Sequence, residues 1–339
     1  MQQIGGEKVA QQKYNYLTTQ LPKYLNSVPK VSIIMNCFNG SKYLRESIDS
    51  VYAQTYHNWE IIFWDNASTD NSAEIAKNYD SRLRYFRSER NYPLVGKVRN
   101  LAYKQANGEY IALLDVDDIW FPEKLERQLS LFEKNVNIAL VFSNVIVFYE
   151  NGVEYELYEY VKPRRGYVFG ELVRNNFIST VSMMYRRSAL ECLDYVFDDE
   201  FTFIQDYDLS LRVAYRYEID YIDEPLAKLR KHSENLSEKI LFLLPQENLK
   251  LLEKKLLSLN DIKYKFSEDI RYFKKQTDLF SAYAEWKKGY KKLSLKYLSP
   301  YLSDKKYLLI FLCICLFSYS QYENLKSKIK RMIKIIKCV

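Results

Sequence analysis

Residues 110–118 read Tyr-Ile-Ala-Leu-Leu-Asp-Val-Asp-Asp, an apolar run that stops in three carboxylates, Asp115, Asp117 and Asp118. An unbroken apolar run of this length suits a strand buried on both faces, which confines the chain to a sheet covered by helices on both sides. Carboxylates at the C-terminal end of such a strand lie on the edge where open α/β sheets take ligands. Hard oxygen donors at this spacing suit Mg²⁺ or Mn²⁺ held together with substrate phosphates. A strand-end Asp is also a common helix cap, and that role suits Asp118, which precedes Pro122 and the amphipathic series Leu125, Leu129 and Phe132.

The rest of the N-terminal half repeats the pattern. Strand-like runs at 31–35, 59–64, 83–86 and 110–114 alternate with helical periodicity at 42–54, around Ile75, Ala76 and Tyr79, at 97–105 and at 122–134. Residues 65–70, Asp-Asn-Ala-Ser-Thr-Asp, have the composition of a turn and helix cap, and Asn107-Gly108 stops the third helix. This alternation implies an α/β fold, a doubly wound and mostly parallel sheet flanked by helices. Neither G-x-G-x-x-G nor G-x-x-x-x-G-K-[ST] occurs, so any nucleotide must be held by carboxylates, metal and arginine.

At 339 residues the chain exceeds the usual single domain, and its composition shifts along its length. The divisions expected are an N-terminal extension at 1–29, the α/β domain at 30–240 and a helical C-terminal region at 241–339. Residues 241–339 hold 21 Lys and Arg against 9 Asp and Glu, which leaves the first 240 residues net acidic although the whole chain carries +7. The acidic cluster and the basic surplus therefore lie in different segments, as in an enzyme with a separate docking region. No motif interleaves aromatics with the basic tail, which argues against a nucleic-acid partner. The five cysteines are scattered and only His57 and His232 are present, so no disulfide or zinc framework is expected. Residues 1–30 contain no apolar core of a secretory signal, and a cytoplasmic location is expected.

Several ordered segments resemble family 2 glycosyltransferases of the GT-A fold. They are Val31-Ser-Ile-Ile-Met-Asn-Cys-Phe-Asn-Gly40, Tyr43-Leu44, Gln54-Thr55-Tyr56, Glu60-Ile-Ile, Asp65-Asn-Ala-Ser-Thr-Asp70, Arg99-Asn100, Gly108-Glu-Tyr-Ile-Ala and Leu114-Asp-Val-Asp-Asp118. The resemblance spans about residues 30–240. It implies inverting transfer of a sugar from a nucleotide diphosphate donor, with a divalent metal, Mg²⁺ or Mn²⁺, on the pyrophosphate. By the same resemblance Phe38 lies beside the donor base, Asp65 accepts a hydrogen bond from it, and Asp115 holds the ribose or a metal-bound water. Asp117 ligates the metal, and His232, in the segment 229–237, lies near metal or diphosphate. Arg99 would pair with the diphosphate as a planar multi-donor cation.

The segment 203–212, Phe-Ile-Gln-Asp-Tyr-Asp-Leu-Ser-Leu-Arg, resembles the family's Glu-Asp motif at a helix start, with Gln205 in place of Glu. Asp206 then takes the place of the base that accepts the acceptor's proton. Each of these residues also has an ordinary structural reading: Asp65 a turn residue, Phe38 and Trp120 core aromatics, Arg99 a solvated helix residue, Asp208 a helix cap and His232 a surface histidine.

Beyond residue 240 composition takes over. Ala282, Trp286, Tyr290 and Leu293 fall at helical spacing, and 307–319 is almost wholly apolar but shorter than the roughly 20 residues of a membrane span. It reads as a buried helix or an interfacial insertion. Ile329, Met332, Ile333 and Ile336 share a face ringed by Lys328, Lys330, Arg331, Lys334 and Lys337, a pattern suited to an anionic membrane surface. The expectation is a transferase peripheral to the inner face of the membrane, using a nucleotide-sugar donor (UDP-sugar preferred) and a glycan or lipid-linked glycan acceptor. The alternatives are a nucleotidyltransferase and a catalytically silent nucleotide- or sugar-binding scaffold of the same fold.

Overall fold

The computed structural model describes residues 31–258 and 260–325. The extension at 1–29 and the amphipathic segment at 329–337 lie outside the described residues. The strands are β1 (Val31–Cys37), β2 (Trp59–Asp65), β3 (Leu83–Arg87), β4 (Tyr110–Leu113), β5 (Ile119–Trp120), β6 (Ile138–Tyr149), β7 (Glu154–Glu156), β8 (Met184–Arg186) and β9 (Glu218–Lys231). Among them run helices α1 (Ser41–Tyr52), α2 (Ser72–Lys77), α3 (Val95–Tyr103), α4 (Lys124–Lys134), α5 (Phe169–Arg174), α6 (Arg187–Glu191) and α7 (Gln205–Arg216). Six more follow: α8 (Leu236–Ile240), α9 (Leu244–Leu251), α10 (Asn260–Lys265), α11 (Ser267–Lys287), α12 (Lys291–Leu298) and α13 (Lys305–Leu316).

One sheet takes the order β3-β2-β1-β4-β8-β6-β9-β5, with β7 paired to β6. The half β3-β2-β1-β4 is parallel. Beyond it β8 runs antiparallel between β4 and β6, while β9 lies parallel to β6. The sheet is therefore parallel where the motifs at 31–40, 59–70 and 110–118 lie, and mixed beyond.

The apolar runs point both ways. Ile33 and Met35 pack with Leu44, Ile48 and Val51 of α1 and with Leu125, Leu129 and Phe132 of α4. Ile34, between them in sequence, joins Ile62, Ile111 and Leu113 on the opposite face with Ala102 of α3 and Leu209, Leu211 and Val213 of α7. Burial on both faces is what the unbroken apolar composition required.

The packing does not break at residue 240. Leu251, Leu252, Leu256, Ile262, Ile270 and Phe273 belong to the same core as the sheet and α7. A separate, smaller core begins at Leu279 and contains Ala282, Trp286, Leu298, Tyr307, Ile310 and Ile314, so α11 spans the two. The helical spacing that extended to Tyr290 and Leu293 is interrupted: Gly289 adopts φ +90°, and both of those side chains are exposed. A residue with a Cβ is strained in that left-handed conformation, and the helix ends there.

Candidate active site

The loops at the C-terminal ends of β1 and β2 are stitched to each other. Asn39 N–H donates to Ser68 Oγ at 3.0 Å, Gly40 N–H to Ser72 Oγ at 3.1 Å and Ser41 N–H to an Asp70 oxygen at 2.9 Å, while Thr69 N–H donates to Asn39 Oδ1 at 2.8 Å. Asn39 and Ala67 both take positive φ, +54° and +62°. Phe38 emerges from this corner half exposed, where a ring can offer a face to a flat ligand. Asp65 is fully buried instead. Its Oδ1 accepts from Ser68 N–H at 2.7 Å, and its Oδ2 accepts from Tyr85 Oη at 2.6 Å and from Arg87. These three bonds make Asp65 close the turn, and a carboxylate with about four acceptor sites keeps capacity for one further donor.

The acidic strand end divides its three carboxylates among three tasks. Asp115 is partly open and accepts from Arg99 Nη2 at 3.0 Å. Asp117 Oδ2 lies 3.0 Å from His232 Nε2 and accepts from Asn235 Nδ2 at 2.8 Å. Burial, reinforced by the neighbouring Asp115, pushes the Asp117 carboxyl above the usual range.

Asp118 does not cap α4, correcting the expectation from sequence. It is buried and accepts from the backbone N–H of Arg230 on β9 at 2.9 Å, and burial together with Asp117 pushes its carboxyl well up. The Arg230 side chain donates to the Asp117 carbonyl at 2.9 Å and also reaches Glu46. One residue of β9 therefore fixes the acidic loop through backbone and side chain together.

His232 is not a surface histidine. It follows directly on β9, its side chain is 8% exposed, and its ring lies 4.9 Å from that of Tyr43. Asn235 Oδ1 accepts from His232 N–H at 2.7 Å, a local turn that brings both side chains back to Asp117. The carboxylate and imidazole fit a divalent cation in type: Mn²⁺ accepts both, and Mg²⁺ is commonly held by one or two carboxylates with substrate phosphates and water. Among the described residues no group of three or more His, Cys, Asp or Glu could hold a metal, so a cation at this pair would need oxygens from outside the protein to complete its shell.

Arg99 is buried, neither solvated nor free to swing. Its Nη1 donates to Gln205 Oε1 at 2.8 Å while Nη2 holds Asp115. Gln205 begins α7 and precedes Asp206, whose Oδ1 accepts from Tyr207 N–H at 2.8 Å and whose Oδ2 accepts from Thr180 Oγ1. Thr180 belongs to a segment held from the other side of the sheet: Trp120 Nε1 donates to the Val181 carbonyl at 2.9 Å and Gln128 Nε2 to the Ser182 carbonyl at 2.7 Å. Trp120 is thus a core residue that supports this segment.

Asp208 does not cap α7 either. It is buried between Arg212 and Lys255, with Lys255 Nζ at 2.6 Å. The segment leading into α7 is held from far along the chain. Glu247 of α9 is buried and accepts from the backbone N–H groups of Thr202, Phe203 and Ile204 at 2.9, 2.9 and 3.0 Å. A carboxylate at this end also meets the positive pole of the helix.

Sequence reasoning missed Arg230, Asn235, Thr180 and Glu247, because each acts through a partner more than 20 residues away. It also missed Asn36 at the end of β1, in register with Trp64; the Asn36 amide oxygen and nitrogen are buried without a partner among the described residues. Its composition signal was only a polar residue at the end of an apolar strand.

The comparisons agree in direction. A model described as glycosyl transferase family 2 matches residues 32–194. An uncharacterized glycosyltransferase of Methanocaldococcus jannaschii is 38% identical over 212 residues, 60% of this chain and 71% of its own length. WfgD of Escherichia coli, a UDP-Glc:alpha-D-GlcNAc-diphosphoundecaprenol beta-1,3-glucosyltransferase, is 34% identical over 168 residues, 49% of this chain and 64% of its own length. Among solved structures, Staphylococcus aureus TarS 1–349 in complex with UDP-GlcNAc aligns with a TM-score of 0.55 at 18% identity, covering 79% of this chain and 89% of TarS 1–349. The mannosyltransferase PcManGT of Pyrobaculum calidifontis, in complex with GDP-Man and Mn²⁺, aligns at 0.54 and 14%, covering 95% and 96%. At these identities the structural likeness is one of fold.

Proposed function

The chain belongs to glycosyltransferase family 2, and from that premise we propose that it moves a sugar, with inversion, from a nucleoside diphosphate donor to a hydroxyl of a lipid-linked glycan. A UDP-sugar is the preferred donor. The donor class is supported by the UDP-GlcNAc bound in TarS, and the acceptor class by the diphosphoundecaprenol-linked acceptor in the name of WfgD. The observation that carries the reading is Arg99, which ties the strand end bearing Asp115 and Asp117 to the helix start bearing Asp206.

In this mechanism Phe38 lies against the base and Asp115, oriented by Arg99, holds the ribose or a bound water. A divalent ion, Mg²⁺ or Mn²⁺, at Asp117 and His232 would supply Lewis-acid stabilisation of the departing diphosphate. Asp206 accepts the proton of the acceptor hydroxyl as that oxygen bonds to the anomeric carbon. The Thr180 hydroxyl and the Tyr207 N–H fix the direction of its carboxylate, one on each oxygen, which leaves a lone pair on each available to the acceptor. Arg99 keeps Asp115 in place and does not itself reach for the diphosphate in this arrangement. The reaction takes place at the inner face of a membrane, with the chain held peripherally by its basic C-terminal region.

The test is nucleotide release from a panel of UDP-, GDP- and dTDP-sugars, with Mn²⁺ or with EDTA, for the wild type, Asp117→Ala and Asp206→Asn. Metal-dependent release from one donor, lost in both variants, supports the reading and identifies the donor. Gln205, where the family motif carries Glu, favours a second reading, a silent nucleotide-sugar-binding scaffold. Metal-dependent binding of UDP with no turnover of any donor, even with a lipid-linked glycan acceptor present, would establish it.

A further inference from the structure

Helix α13 is apolar on every side. Tyr307, Ile310 and Ile314 point inward to the small core around Trp286 and Leu298. Leu308, Leu309, Leu312 and Leu316 are exposed, Leu309 at 63% and Leu316 at 73%. Residues 308, 312 and 316 fall one turn apart with 309 beside them, so the four form a continuous outer stripe. The inner face is anchored along α11: Tyr307 Oη donates to the Lys275 carbonyl at 3.3 Å and Trp286 Nε1 to the Phe317 carbonyl at 3.3 Å. The stripe consequently faces away from the body of the protein.

Its surroundings are basic. Lys305 and Lys306 open the helix, and Lys287, Lys288, Lys292 and Lys296 are exposed on its neighbours α12 and the end of α11. In sequence the chain continues with Lys326, Lys328, Lys330, Arg331, Lys334 and Lys337. A second copy of the chain docked on the stripe would bring lysines against lysines. An anionic bilayer accepts both features, leucines at the acyl boundary and ammonium groups among the headgroups.

By itself the helix is too short to cross a bilayer. Its 12 residues extend about 18 Å against a hydrocarbon core of about 30 Å, and the chain turns by 120° into Tyr319–Leu325.

We propose that α13 is an in-plane membrane anchor whose leucine stripe enters the surface of an anionic bilayer. This gives a contact surface to the membrane-side reaction proposed above. Because vesicle binding needs neither donor nor acceptor, failure of the anchor and failure of the transferase reading are separately observable.

The experiment floats the full chain with vesicles of phosphatidylcholine, with and without a quarter of phosphatidylglycerol. The wild type is expected to bind the anionic vesicles at least tenfold better than the neutral ones. Leu309→Ser combined with Leu312→Ser should lower that binding at least tenfold at unchanged thermal midpoint, since both side chains are outside the core. Leu309→Trp keeps the apolar character, and its added fluorescence should be quenched by brominated acyl chains. Equal binding by the double serine variant would assign docking to the basic tail alone and overturn the proposal. So would absence of quenching, or a wild type that ignores vesicles and elutes as a dimer which the serine variant dissociates.

Discussion

The guanidinium of Arg99 is bonded to Gln205 across 106 residues of chain, Nη1 to Oε1 at 2.8 Å, while its other amino group holds Asp115. The strand end bearing Asp115 and the helix start bearing Gln205 and Asp206 are therefore joined through one buried cation. A double-mutant cycle of Arg99→Met and Gln205→Ala is expected to give a coupling of about 1–3 kcal/mol in urea denaturation. A coupling near zero would mean that the two sides are positioned independently.

Glu247 satisfies three backbone donors just ahead of α7. Glu247→Ala leaves them buried and unpaired, with an expected loss of about 2–4 kcal/mol in stability. Nucleotide release should fall further than the unfolded fraction explains, because the start of the helix carrying Asp206 loosens. Urea melts beside turnover at a permissive temperature separate the two effects.

Asn235 orients Asp117 and pairs with His232 in the same turn. Asn235→Ala is expected to weaken Mn²⁺ affinity in the presence of UDP by about 10–100-fold, the usual effect of losing a residue that orients a metal ligand. Asp117→Ala should abolish it. Titration of free Mn²⁺ by electron paramagnetic resonance reads both without any acceptor.

Lys124 is buried with no carboxylate partner among the described residues. It donates to Gln128 at 2.7 Å and stands 4.0 Å from the centre of the Trp120 ring, and desolvation pushes its ammonium well below its ordinary range. Between the lowered native value and the unfolded value near 10.5 the unfolded chain binds more protons, so stability contributed by this group rises with pH. Denaturation at a series of pH values below 10.5 should show the wild type gaining on Lys124→Met as the pH increases. Parallel curves would mean that the ammonium stays charged in the fold, held by Gln128 and the indole.

Gly96 is the second residue of α3, where a Cβ would stand 2.2 Å from the carbonyl oxygen of Asp198. Gly96→Ala must push the segment ahead of α7 away from α3, and a loss of about 1–3 kcal/mol is expected from overpacking. Thermal unfolding checks it.

What could be read in the residues was whatever is written locally. The apolar runs 31–35, 59–64 and 110–114 became buried strands because a strand covered on both faces leaves no alternation to hide, and their order as a parallel set followed from the helices between them. The family resemblance came from motifs that each lie within one short stretch of chain. Tertiary structure decided the rest, for one physical reason: a buried polar group takes whichever partner the fold brings near, at any distance in sequence. Asp118 found the backbone of Arg230 and not the start of α4, His232 found Asp117, and the N–H groups ahead of α7 found Glu247 of α9. The division at 240 reflected a real change in composition, yet burial ignored it, because Leu251, Leu256 and Phe273 complete the core that the sheet alone leaves open.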